Sequence, residues 1–144
     1  MAARKVRILF AGAGGTCEGL RQVAPNVESL GYDISEDACA TAEAAGHVRK
    51  LVNLADYEPD AEPGEVDGVI ASPTCRPWST ANATRRGLDD PRGRLINVPA
   101  RWVLALRPRW TAWEITPLAL PAFQWHAATL RGAGYSVVTG LLRA

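Results

Sequence analysis

The sequence predicts an α/β fold built as a doubly wound parallel sheet. Two observations carry that expectation. Short apolar runs alternate with helix-compatible stretches along the chain, and the first run ends in the glycine-rich Ala11-Gly12-Ala13-Gly14-Gly15. In such sheets ligands sit at the carboxyl ends of the strands, near the point where the strand order reverses. A length of 144 residues, with 47% hydrophobic and 22% charged side chains, suits one domain able to bury a core.

The elements follow in order. Val6 to Phe10 is the first strand pattern, and a helix-compatible stretch runs from about Cys17 to Leu30, with Pro25 as a kink or break. Gly31-Tyr32-Asp33-Ile34 reads as a second strand. Glu36 to Ala45 is Ala-rich and opens on acids, with Ser35 as N-cap and Gly46 as stop, so a helix is expected there. Leu51 to Leu54 is a third strand pattern, Asp56 to Glu65 a polar surface connection, and Val66 to Ala71 a fourth strand. Ser72 to Gly93 lacks periodicity and holds three prolines, and a loop of that length in a compact domain usually serves function or is disordered. Pro99 to Leu106 fits a helix with proline in its first turn, Trp110 to Ile115 a strand, and Ala122 to Leu130 a helix stopped by Gly132 and Gly134. Tyr135 to Leu142 has the pattern of a further strand.

Charge is unevenly distributed. Residues 1 to 75 carry six Lys or Arg against twelve acids, whereas residues 76 to 144 carry ten Arg against three acids. All five Trp lie in the basic half. Interleaved Arg and aromatic residues suit a polyanion with stackable bases, although Trp in a core and Arg on a solvated surface produce the same composition. No apolar run approaches the roughly 20 residues that span a bilayer, and no signal-peptide pattern opens the chain, so a soluble cytoplasmic protein without membrane contact is expected. Three unpaired cysteines and two histidines give no metal-ligand spacing, and no metal is expected.

Three stretches carry chemistry. In the first, Gly12, Gly14 and Gly15 let backbone approach a ligand closely, and Asp33 is placed to accept hydrogen bonds from ribose hydroxyls. The spacing is not G-x-G-x-x-G, which favours a nucleoside cofactor without a pyrophosphate, S-adenosylmethionine above all. A plain strand-to-helix turn uses glycines in the same way. The second is Ser72-Pro73-Thr74-Cys75-Arg76-Pro77-Trp78-Ser79, where prolines stiffen the backbone around a thiol beside a cation; Cys75 reads either as a nucleophile or as a small apolar filler. The third is Trp113-Glu114-Ile115-Thr116-Pro117, whose lone acid past an apolar strand suits a proton donor or the start of a solvated loop.

Together these stretches resemble the cytosine-5 DNA methyltransferases. Leu9 to Gly15 is similar to that family's cofactor loop, and Gly31-Tyr32-Asp33-Ile34 to its acidic ribose-binding turn. Asn53 falls where the family usually has an adenine-contacting Asp. Cys75 coincides with the cysteine of Pro-Pro-Cys-Gln, Arg85 to Gly93 with the catalytic loop, and Glu114 with the acid of Glu-Asn-Val.

The resemblance implies a Rossmann-like, S-adenosylmethionine-dependent methyltransferase sheet, truncated, with residues 1–144 as a single partial catalytic domain. It implies Cys75 and Glu114 as catalytic residues. Phe10, Ala11, Gly12, Gly14, Gly15, Asp33, Ile34, Asn53 and Pro73 would bind the cofactor. Ser79, Arg85, Arg86 and Arg92 would contact double-stranded DNA. In the implied mechanism a thiolate adds to carbon 6 of a flipped cytosine while the acid serves ring nitrogen 3, so that carbon 5 can accept a methyl group.

The sequence departs from the pattern at Ile8, Thr74, Arg76 and Ile115, and the family's Gln-x-Arg-x-Arg motif and target-recognition region have no counterpart in it. A complementary subunit carrying those parts is one expectation. A non-catalytic remnant that binds S-adenosylmethionine or nucleic acid, and a methyltransferase acting on a free nucleotide or RNA, are the alternatives.

Overall fold

The computed structural model describes residues 4–79 and 87–142. Five parallel strands form one sheet: β1 (Arg4–Leu9), β2 (Val27–Asp33), β3 (Arg49–Leu51), β4 (Gly68–Ala71) and β5 (Trp110–Trp113), in the order β3-β2-β1-β4-β5. Four α-helices join them: α1 (Gly15–Val23), α2 (Glu36–Ala44), α3 (Val98–Leu106) and α4 (Leu120–Gly132). The strand order reverses between β1 and β4, so the crevice of a doubly wound sheet opens beyond Leu9 and Ala71.

Alternation along β1 divides the core. Val6 and Ile8 pack with Ala11 and Cys17 on the α1 side. Leu9 belongs to the larger cluster, with Tyr32, Val69, Trp102, Val103, Leu106 and Leu130. Trp102 is its centre, edge-on to Tyr32 at 4.9 Å and stacked near Tyr57 at 6.4 Å. Glycines admit side chains laid across the sheet. A Cβ on Gly31 would lie 2.4 Å from Nη1 of Arg49, and one on Gly68 would lie 2.2 Å from the Trp110 ring.

Sequence expectations are corrected at four places. The first helix stops at Val23, because proline 25 lacks an N–H and drives Ala24 out of the helical region (φ −146°, ψ 70°). Val27 to Leu30, read as helix, is instead strand paired with β1 from Arg4 opposite Val27. The third strand is Arg49–Leu51 and not Leu51 to Leu54, since Asp33 ends β2 opposite Leu51 and the chain then turns at Asn53. Tyr135 to Leu142 forms no strand. Its burial alternates as a strand's would over Tyr135 to Val138, yet it pairs with none of the described strands, and Val138 and Leu142 stand almost fully exposed. A ladder needs a neighbour as well as a pattern. The helix at Glu36 agrees with expectation, with the Ser35 hydroxyl accepting from the Ala38 amide.

On α4, His126 is 1% exposed, between the rings of Trp113 and Trp125 at 5.7 and 4.8 Å. Burial lowers its pKa from the ordinary 6.5, with the Ile96 backbone opposing the shift, so the folded state holds it neutral. The unfolded chain therefore binds the extra proton first as the pH falls. The His126 contribution is fully present above about pH 6.5 and is lost on acidification below it. Thermal unfolding midpoints measured from pH 7.5 to 5 should fall less steeply for His126→Phe than for the parent.

Candidate active site

The cofactor-type loop is built by backbone geometry. Gly12 (φ 53°) and Gly14 (φ 110°) occupy left-handed conformations, and Gly14 caps α1. A Cβ on Gly14 would lie 2.9 Å from the His47 ring and 3.3 Å from Arg49, so this position excludes a side chain on packing grounds as well. Phe10 is also left-handed (φ 58°), a costly conformation for a non-glycine residue that presents its side chain to the cleft.

Asp33 ties the loop to the end of β2. Its Oδ2 accepts from the Gly12 amide at 2.8 Å and its Oδ1 from the Ser35 amide at 2.9 Å. Each carboxylate oxygen has a second lone pair, so the group can still accept from a ligand hydroxyl. The cleft encloses about 290 Å³ and is lined by Phe10, by Asp33 and Ile34 at the end of β2, by Val52, Asn53 and Leu54 past β3, by Ser72 and Thr74 past β4, and by Leu95. One anionic acceptor among mostly apolar walls fits a nucleoside, whose base is flat and apolar on its faces and whose ribose donates hydroxyl hydrogens. Asn53 holds its own turn, with Oδ1 accepting from the Ala55 amide at 3.1 Å and Nδ2 donating to Asp56 at 2.7 Å.

Of the residues expected to bind the cofactor, Phe10, Asp33, Ile34 and Asn53 line this cleft. Ala11, Gly12, Gly14 and Gly15 form the adjoining loop, and Pro73 is buried between the lining residues Ser72 and Thr74. Val52, Leu54 and Leu95 are additional lining residues that sequence reasoning missed. Leu95 lies more than forty residues from the other apolar walls, and only the folded chain brings it there.

Cys75 and Glu114 follow neighbouring parallel strands. Cys75 is exposed four residues past β4, and its carbonyl accepts from the Trp78 and Ser79 amides, both at 2.9 Å. Glu114 lies one residue past β5, its amide donating to the Ala71 carbonyl at 3.0 Å. Glu114 is exposed, as the start of a solvated loop would be, and is not enclosed by apolar side chains.

Arg85 and Arg86 lie outside the described residues. The backbone flanking them is closely fitted. The Gly87 amide donates to the Pro77 carbonyl at 3.0 Å, and a Cβ on Gly87 would lie 3.2 Å from the Trp78 ring. A Cβ on Gly93 would come within 1.8 Å of the Gly87 carbonyl oxygen. Gly93→Ala should therefore destabilise the protein by about 1–3 kcal/mol, read by urea unfolding, through displacement of Gly87. Arg92 is engaged with the buried Asp90, Nη2 to Oδ2 at 2.6 Å and Nε to Oδ1 at 3.0 Å. Among the described residues no cluster of three or more His, Cys, Asp or Glu could hold a metal ion, and no helix is long and apolar enough to cross a membrane.

The sequence matches the profile of C-5 cytosine-specific DNA methylases over residues 5–144. It is 33% identical over 95 residues to the Type II methyltransferase M.NgoPII of Neisseria gonorrhoeae, a match covering 64% of this chain and 27% of that protein. The chain thus spans about a quarter of that relative's length. The fold is similar to that of the plantazolicin methyltransferase BpumL, solved in complex with SAH and a pentazolic desmethylPZN analog. The TM-score is 0.51 at 14% identity, over 74% of this chain and 36% of that one. The same enzyme with a triazolic analog gives the same values.

Proposed function

Because the chain belongs to the C-5 cytosine-specific DNA methylase family, we propose that it is the cofactor-binding and cysteine-bearing part of a DNA cytosine-5 methyltransferase. The single observation that carries this reading is the arrangement at one sheet edge. The Asp33-anchored glycine loop adjoins a nucleoside-sized cleft, and the exposed Cys75 directly follows Ser72 and Thr74, which line it.

S-adenosylmethionine fits the cleft, and when bound it supplies an electrophilic methyl group. Asp33 would accept from its ribose hydroxyls, Phe10, Ile34, Val52 and Leu54 would flank its base, and the loop from Ala11 to Gly15 would face the rest of the molecule. Cys75, as thiolate, adds to carbon 6 of a cytosine. Glu114 holds a proton at ring nitrogen 3, so the electron pair displaced by the thiolate accumulates at carbon 5, the methyl acceptor. Loss of the carbon 5 proton after alkylation returns an electron pair to the ring and expels the Cys75 thiolate. The target base must leave its stack to reach this edge, which costs a few kcal/mol. Ser79, Arg85, Arg86 and Arg92 are assigned to the DNA that surrounds it.

Residues 1–144 act in this reading as one unit of a larger catalytic domain, completed by a complementary polypeptide that carries target recognition. Two features support that partner: β5 is paired on one side only among the described residues, and Trp125, Val138, Leu141 and Leu142 are exposed.

The test is trapping with duplex DNA containing 5-fluorocytosine, whose carbon 5 has no proton to lose, in the presence of S-adenosylmethionine and a co-expressed polypeptide covering the remainder of the family's length. A denaturation-resistant adduct through Cys75 is expected. Cofactor binding without an adduct would instead identify a non-catalytic remnant, a reading favoured by Ile115 in place of the family's asparagine.

A further inference from the structure

We propose that Arg101 is a positioning residue for the nucleoside end of the cleft, holding from α3 the turn that carries Asn53. The proposal rests on the reading of the cleft as an S-adenosylmethionine site.

The turn begins where β3 ends. The Asn53 carbonyl accepts from the Asp56 and Tyr57 amides at 3.1 and 2.9 Å, and its side chain closes the same turn at Ala55. Such a turn leaves its later carbonyls without donors inside the turn itself. Arg101 supplies them from α3. Its Nη2 donates to the Leu54 carbonyl at 2.7 Å and the Tyr57 carbonyl at 2.9 Å, while Nη1 pairs with Glu58 at 2.8 Å. A planar guanidinium with donors in fixed directions can bind two carbonyls and a carboxylate at once, which an ammonium group on a flexible stem does less rigidly.

Position in the fold gives this clamp its consequence. Val52, Asn53 and Leu54 line the cleft, and so does Leu95. Leu95 lies in the 3₁₀ segment Pro91–Asn97, which runs directly into α3. The helix that carries Arg101 therefore follows directly from the segment that carries Leu95, and Arg101 ties the Asn53 turn to it through the Leu54 and Tyr57 carbonyls. Glu58 is mostly exposed (74%), so its ion pair contributes little beside the two carbonyl bonds.

The experiment compares Arg101→Met, Arg101→Lys and Glu58→Gln with the parent protein, using S-adenosylmethionine titration calorimetry and amide hydrogen exchange without cofactor. Arg101→Met should weaken cofactor binding about tenfold and speed exchange at Ala55, Asp56 and Tyr57, leaving the β1 and β2 amides unchanged. Arg101→Lys should recover part of both effects, and Glu58→Gln should match the parent in both. The proposal is overturned if Arg101→Met binds within twofold of the parent, if exchange rises across the whole sheet, or if Glu58→Gln weakens binding as much as Arg101→Met. Should the parent itself bind no S-adenosylmethionine, the cofactor reading of the cleft falls and the positional claim with it, while exchange at residues 55–57 still reports whether the clamp holds the turn.

Discussion

Cys75→Ser will reduce methyl transfer by at least roughly a thousandfold while leaving S-adenosylmethionine affinity within about twofold of the parent. The separation of the two effects follows from the geometry. Cys75 is exposed, past the end of β4, and is not among the residues that line the cleft. Its sulfur is absent from the hydrophobic clusters, so a hydroxyl in its place should leave the thermal midpoint nearly unchanged. Only the chemistry is affected, because an un-ionised serine hydroxyl is a far weaker nucleophile toward carbon 6 than a thiolate. Tritium transfer from labelled cofactor to duplex DNA, run beside calorimetry on the same preparations, separates the outcomes. Parallel losses of rate and affinity would remove Cys75 from the chemical step, and undiminished transfer would place the nucleophile elsewhere.

Asp33→Ala should behave in the opposite sense, weakening cofactor binding on the order of a hundredfold. Two contributions combine. The ribose loses a charged acceptor, and the Gly12 and Ser35 amides lose theirs, releasing a loop whose left-handed conformation Asp33 stabilises. Hydrogen bonds to a charged partner contribute about 1.5–3 kcal/mol each, so the loss of two or three supports a change of this size even after partial replacement by water. Asp33→Asn keeps an acceptor and should lie between the two. Calorimetry provides the reading, and an unaltered dissociation constant for Asp33→Ala would refute the ribose assignment.

The distinction between these two residues was legible in the sequence, since each sits at the end of an apolar run in a motif with its own chemical type. A thiol between prolines and an acid closing the run Gly31-Tyr32-Asp33 are both patterns of adjacent residues. The helix at Glu36 was legible for the same reason, through Ser35 as its cap. Val27 to Leu30 carries no strong periodicity, so its strand is not legible locally, and pairing with β1 outweighs a weak helical preference. The closing segment failed in the converse way. Tyr135 to Val138 alternates correctly, but an extended pattern becomes a strand only when a ladder is offered.

The site shows the same division. Asp33 was placed by its motif as a ribose acceptor, but nothing local indicated that it also braces Gly12, 21 residues away. Glu114 was placed at the end of β5, but its exposure depends on what covers that edge. Leu95 and Arg101 carry no motif at all.

The alternation of strands and helices, the glycine loop and the residue types available for chemistry can all be read along the chain, because periodicity and adjacent residues act over a few positions. Which strands pair, which side chains line the cleft, and that a guanidinium 47 residues away from Leu54 holds its carbonyl emerge with the folded chain. Those contacts follow from the path of the backbone through a packed core, where close packing and the pairing of buried polar groups select one arrangement from many that the local patterns allow.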